Sequence, residues 1–221
     1  MTVPLRPSLL FLGKQDDPHC ALAADFARKN FGDVTICLGK WGEPLPGAAR
    51  EWEGDYVVSY LSRWVVPEAV MARAGTAAIN FHPASPDYPG IGCNNFALYD
   101  NAPSYGATCH FMAAKVDTGA IIATKRFPVF AADDVESLLA RTYAFQLVLF
   151  YEVVGAMAQG IPPVASGETW TRPPFTRKEF NELTILRPDM APEEIARRIR
   201  ATDFGSWKPT IEIAGFTFAL T

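Results

Sequence analysis

Ser8-Leu9-Leu10-Phe11-Leu12-Gly13, then Pro18 to Asn30, then Val34-Thr35-Ile36-Cys37-Leu38 is the stretch whose reading decides the fold. The first run is short, apolar and closed by Gly, as a strand buried inside a parallel sheet tends to be. Between the two runs, Leu22, Ala23, Phe26 and Ala27 recur at helical intervals with Asp25 on the polar side. Arg28 and Lys29 near the end of that segment suit the negative pole of a helix C-terminus. Strand, helix and strand at this pace predict a βαβ unit with a right-handed crossover.

Working outward, residues 39–54 are rich in Gly, Pro and Trp and read as a loop with at most one turn of helix. Strands are expected at 56–60, 77–82, 108–112 and 121–130, a short helix at 67–74, and a Pro- and Gly-bearing loop over 83–95. A long helix is expected from about Asp134, with Asp133 or Asp134 as its cap, to Gln159, stopped by Gly160 and Pro162-Pro163. The fold class is α/β: a Rossmann-like, mostly parallel open sheet with helices on both faces over residues 1–163. Residues 164–221 read as a small extension. It holds a helix capped by Thr176, a second helix opening at Pro192-Glu193-Glu194, and a hairpin over Thr210–Leu220. The free edge of that hairpin invites pairing, so a homodimer is an expectation.

The formal charge of -4 argues against nucleic acid as a partner, because a phosphate-tracking surface carries a basic surplus. Cys20, Cys37, Cys93 and Cys109 form no C-x-x-C pair and read as reduced core cysteines rather than a disulfide frame or a zinc site. The apolar run Leu9 to Leu12 near the start is too short for a signal peptide or a membrane span. A cytoplasmic enzyme-sized chain, without membrane insertion and without a metal, is the expectation.

Chemistry concentrates in two segments. In Ile79-Asn80-Phe81-His82, period-two alternation puts Asn80 and His82 on one face, at the carboxyl end of a strand where open α/β sheets bind ligands. The loop that follows reads as a fixed wall. Val116-Asp117-Thr118-Gly119 offers either a simple turn acid or a carboxylate set beside His82, which would orient the imidazole and favour its charged form.

Ile79-Asn80-Phe81-His82-Pro83, the loop closing at Tyr88-Pro89-Gly90, Gly106-Ala107-Thr108-Cys109-His110 and Asp117-Thr118-Gly119-Ala120-Ile121-Ile122 follow one another in an order and spacing that resemble the 10-formyltetrahydrofolate-dependent formyltransferases. The resemblance covers residues 55–130 well and the rest in outline. It implies Asn80, His82 and Asp117 as the catalytic trio and N10-formyltetrahydrofolate as cosubstrate. It also implies cofactor contacts by Ser62, Arg63, Trp64, Val65 and Val66, and by Lys115 and Val116 before the acid. His110 matches a strand position common in the family and reads as structural; His19 reads as incidental. The loop departs from the family pattern in lacking its basic residue, so that loop's contacts do not carry over.

For the amine acceptor, Gly13-Lys14-Gln15-Asp16-Asp17 lacks the glycine-rich phosphate turn of glycinamide ribonucleotide formyltransferases. Methionyl-tRNA formyltransferases hold tRNA with a further basic domain, whereas the tail here is about 58 residues and the whole chain is acidic. The resemblance is therefore strongest to the nucleotide-sugar N-formyltransferases of O-antigen and other lipopolysaccharide synthesis, acting on a GDP- or dTDP-linked 4-amino-4,6-dideoxyhexose. Tyr88, Pro89, Gly90, Ile91, Asn94 and Asn95 are the residues expected to touch that sugar. A methionyl-tRNA or glycinamide ribonucleotide acceptor, and a non-catalytic folate- or nucleotide-binding module, are the alternatives.

Overall fold

The chain runs β1 (Leu9–Lys14), α1 (Pro18–Asn30), β2 (Val34–Gly39), α2 (Gly47–Arg50), β3 (Gly54–Tyr60), α3 (Glu68–Met71), β4 (Ala74–His82) and α4 (Cys93–Tyr99). It continues through β5 (Ser104–Phe111), β6 (Ile121–Pro128), α5 (Val135–Ala158), α6 (Arg177–Leu183), β7 (Ile185–Leu186), α7 (Pro192–Thr202), β8 (Thr210–Ile213) and β9 (Phe216–Ala219). The computed structural model describes residues 6–220; Met1–Leu5, the start of the stretch read for a targeting segment, and Thr221 lie outside the described residues.

The main sheet has the order β2-β1-β3-β4-β5-β6. Its first four strands are parallel, and β5 and β6 join antiparallel. The alternation in β1 sends Leu9 and Phe11 to one face and Leu10 and Leu12 to the other. The first pair packs with α1 and α5 residues such as Ala23, Ala27, Phe150 and Val154; the second packs with Ala49, Trp52 and Val70 around α2 and α3. Helices thus cover both faces, and the near-continuous apolar run of β1 is explained by double burial.

α1 starts at Asp17, whose carboxylate accepts from the His19 and Cys20 N–H groups, with Pro18 in its first turn. α5 starts at Asp134 with a reciprocal bond to Ser137. By length and composition alone α5 could cross a membrane. It lies instead against β4, β5, β6 and α1, with Leu138, Leu149, Phe150 and Val154 buried.

Two expectations need correction. The loop expected over 83–95 ends early, because α4 begins at Cys93 after Gly92 turns the chain at φ 70°. Cys93 to Leu98 are buried on every side, so α4 carries no amphipathic stripe to betray it. The tail contains a further two-residue strand, β7, which pairs parallel to β8 and turns the expected hairpin into a three-stranded sheet. Phe175, Leu183 and Ala201 of the tail share a buried cluster with Tyr88, Phe96 and Tyr105, and α7 packs on α4.

Phe150 is the centre of the larger core: its ring meets Phe11, Phe26, Tyr60 and Phe81 at centroid separations of 6.1, 6.1, 5.2 and 5.2 Å. Phe150→Ala should cost roughly 3–5 kcal/mol, read from urea unfolding; a loss under about 1 kcal/mol would mean that the neighbouring rings refill the space.

Candidate active site

The strand order reverses at β1, with β2 on one side and β3 on the other, so a crevice opens beyond the carboxyl ends of these strands. A cleft of about 690 Å³ lies there. Lys14 from β1, Ser59 from β3, Asn80 and His82 from β4, and Tyr143 from α5 line it, together with residues of the segments after β3 and β5.

Within β4, Ile79 and Phe81 point into the aromatic core while Asn80 and His82 reach the cleft. Gln146 of α5 anchors the strand by donating its Nε2–H to Phe81 O, 2.8 Å. Because β5 runs antiparallel, Asn80 sits opposite His110 and His82 opposite Thr108. The pairing of β5 with β6 slips between Cys109 and His110, a bulge of the kind that re-aims side chains beside active sites. His110 Nε2 comes 3.1 Å from Asn80 Nδ2, and its Nδ1 lies 2.7 Å from Phe111 O. In the neutral Nδ1–H tautomer, Nε2 accepts from the Asn80 amide.

Asp117 completes the constellation from the turn between β5 and β6. Its Oδ2 lies 3.3 Å from His82 Nδ1 and accepts from Gly90 N–H at 3.0 Å, while Oδ1 is 3.4 Å from His110 Nε2. The backbone there is strained: Asp117 has φ 51°, a left-handed conformation uncommon for a residue with a side chain. Gly119 must be glycine, because a Cβ would stand 1.8 Å from Phe111 O. The carboxyl is buried, which pushes its pKa up, but the His82 charge, the adjoining His110 ring and the Gly90 N–H together outweigh this and hold it below the ordinary value. His82 Nε2 faces Tyr88 O at 3.0 Å, so each of its ring nitrogens meets an acceptor, and the doubly protonated ring satisfies both.

Ser62, Arg63, Trp64, Val65 and Val66 after β3, and Lys115 and Val116 before the acid, all lie along the cleft, as do Gly90 and Ile91. Trp64 is fixed by its Nε1–H to Glu43 O, 2.8 Å, and by Gly39, where a Cβ would strike the indole. Tyr88, Pro89, Asn94 and Asn95 are not among the lining residues. Tyr88 acts through its carbonyl on His82, Pro89 O accepts from Phe175 N–H, and Asn95 Nδ2–H is committed to Ala201 O of α7 at 2.6 Å. Sequence reasoning missed His110 as a member of the network, and it missed Trp170, whose ring stands edge-on to His82 and His110. Period-two counting from Thr108 was the one available signal for His110; nothing local marked Trp170. Among the described residues no group of three or more His, Cys, Asp or Glu side chains is placed to hold a metal ion, and all four cysteines are free and buried.

The family model described as formyl transferase matches residues 43–154, about half of the chain. The chain is similar to the phosphoribosylglycinamide formyltransferase of Mycobacterium tuberculosis, 31% identical over 164 residues that make up 71% of this chain and 76% of that one. It spans about half the length of the corresponding enzymes of Escherichia coli and Vigna unguiculata, 54% and 53%. Among solved structures, a Mycobacterium tuberculosis protein described as a candidate sugar N-formyltransferase superimposes with a TM-score of 0.78 at 22% identity, over 97% of this chain and 96% of that one. An N-formyltransferase of Helicobacter canadensis, solved on complex with folinic acid and dTDP-3-aminofucose, gives a TM-score of 0.73 at 18% identity, over 94% and 84%. At such identities the likeness is one of fold.

The Asp117 environment makes a pH prediction. Its folded-state pKa lies below the ordinary 3.8, so its stabilising contribution is complete above that value and is lost as pH falls through the lower folded-state value. Asp117→Asn should be less stable than the parent at neutral pH, and the gap should close below about pH 4. Urea midpoints of both proteins across the acid range check this; a gap of constant size contradicts it.

Proposed function

Since the chain belongs to the formyl transferase family, we propose that it moves the formyl group of N10-formyltetrahydrofolate to the amine of a nucleotide-linked amino sugar, a GDP- or dTDP-linked 4-amino-4,6-dideoxyhexose, in the cytoplasm. The observation that carries the chemistry is the convergence of Asn80, His82 and Asp117, from two separate segments, on one cleft wall. The acceptor amine bonds to the formyl carbon and the bond from that carbon to N10 breaks; the proton shed by the amine passes through Asp117, directly or by way of water, and ends on N10 as it leaves. Asn80 has two amide hydrogens; with one on His110, the second is free for the developing oxyanion. His82 donates through Nε2 once its bond to Tyr88 O is exchanged. Preorganised donors of this kind contribute roughly 3–4 kcal/mol each, and the acid–base step on the order of 10²–10⁴ in rate.

Trp64, Val65, Val66, Met112 and Ala113 are apolar residues that line the cleft, which supports this reading because a pterin ring needs apolar cover. For the acceptor, the support is electrostatic. Lys14, the cation nearest the end of β1, is already paired with Asp17 at 2.8 Å. Burial pushes the Asp17 carboxyl up, but the bonds from Lys14 and the Cys20 N–H prevail and hold it low, so the pair stays ionised and neutral overall. A phosphate beside β1, as a ribonucleotide acceptor would bring, finds little free positive charge there. The fold likeness to sugar N-formyltransferases also extends over the tail. A second reading, glycinamide ribonucleotide as acceptor, is favoured by the identity to the Mycobacterium tuberculosis enzyme. The product on the preferred reading is a building block for surface polysaccharide. A homodimer belongs to the same proposal, with the edge strand β9 and its exposed Phe216 and Phe218 as the surface.

The test is tetrahydrofolate release from N10-formyltetrahydrofolate with a panel of GDP- and dTDP-linked 4-amino-4,6-dideoxyhexoses, beside glycinamide ribonucleotide and methionyl-tRNA. Turnover with one sugar is expected, and His82→Ala or Asp117→Asn should lower it by about 10²-fold or more. Turnover with the ribonucleotide alone would replace the sugar reading; formate release without any amine would make the protein a hydrolase; folate binding without turnover would make it a binding module.

A further inference from the structure

Residues 166–175 cross the outside of the site and bond to both of its loops. Ser166 N–H donates to Ile121 O at 2.8 Å, Trp170 Nε1–H to Gly119 O at 2.8 Å, and Thr171 N–H to Pro86 O at 3.2 Å. Phe175 N–H donates to Pro89 O at 2.9 Å and its carbonyl accepts from Ile91 N–H at 3.0 Å. The first two bonds hold the segment that follows Asp117. The other three hold the loop whose Tyr88 O and Gly90 N–H touch His82 and Asp117. Between the two, the Trp170 ring stands edge-on to His110, centroids 5.1 Å apart at 81°, and to His82, 5.9 Å apart at 67°. The indole is half-buried and does not line the cleft, so it acts through its neighbours and not on a substrate.

We propose that Trp170 is a positioning residue that sets the His82–Asp117 contact, by tying the carbonyl of Gly119 from outside and by closing the outer side of both imidazoles to water. Asp117 holds a left-handed backbone two residues from that carbonyl. A strained turn persists when its surroundings over-determine it; Thr118 Oγ1–H braces this one from within, on Lys115 O, and the indole N–H braces it from outside. The ring adds a second constraint, because water admitted beside a buried carboxylate–imidazole pair weakens the pair.

The kinetic arm of the test rests on the reaction proposed above; the exchange arm does not. Trp170→Ala and Trp170→Phe are made in the full chain, the Phe variant keeping a ring and losing the N–H. With the active acceptor, Trp170→Ala should lower kcat by about ten-fold or more while KM for the formyl donor moves by less than about three-fold, and Trp170→Phe should fall between. Amide hydrogen exchange is read at Gly90, whose N–H bonds to the Asp117 carboxylate, and at Val58 in the central strand β3. Faster exchange at Gly90, by about ten-fold, with Val58 unchanged is expected. Equal acceleration at both would assign Trp170 to global stability alone, and an unchanged Gly90 would remove the positioning role; either overturns the proposal. If Trp170→Ala does not fold, Trp170→Phe carries both measurements, and its outcomes decide in the same way. A wild-type protein that moves no formyl group would sink the proposed reaction, while the exchange at Gly90 would still decide on Trp170.

Discussion

A carboxylate sealed from water has to be partnered on every side, because an isolated charge in a protein interior is unsustainable. Asp117 is such a group, and the features around it follow from supplying its partners. His82 reaches it because β4 ends where it does, and Gly90 reaches it because the loop after β4 folds back with φ 91°. His110 reaches it because β5 enters antiparallel and carries a bulge at that point. The left-handed backbone of Asp117 and the bare Cα of Gly119 are the local conditions for aiming one short side chain at three partners. Substitutions at Gly90 or Gly119 would therefore be felt at His82, although neither residue need touch a reacting atom.

The readability of the sequence divides along the same line. β1, α1 and β2 were legible almost to the residue, because apolar runs and helical spacing speak locally. Asn80 and His82 on one face followed from strand alternation alone. What escaped was non-local or lacked contrast. α4 is buried all round, and its Asn94 and Asn95 made it resemble an exposed sugar-binding loop, when Asn95 in fact braces α7. His110 looked like an ordinary strand histidine, since its partner Asn80 is named only by the pairing of β4 with β5. Trp170 is 51 residues from the carbonyl it holds, and no local pattern encodes that distance.

The tail's cations show the same dependence on context. Arg198 is occupied by the carbonyls of Glu182, Leu183 and Ile185, and Arg200 by those of Phe130 and Asp133. Arg197 lies over the Tyr99 ring and pairs with Glu194. These guanidiniums tie α7 to the rest of the fold. Arg63 and Arg177 are the arginines that line the cleft, and their guanidiniums lie over the Trp41 and Phe180 rings.

The strap over the site also bears on how the chain is made. A ribosome extrudes the strands carrying Asn80, His82 and Asp117 well before residues 166–175, so the sheet has its pairing partners while the two loops still lack their outer tie. Domains fold in the order in which they emerge. The nascent chain thus passes through an interval in which Asn80, His82 and Asp117 have emerged but the segment that ties their loops together has not. The outer tie is made only in the last third of translation, and Leu183 and Ala201 complete the buried cluster around Tyr88 and Phe96 later still.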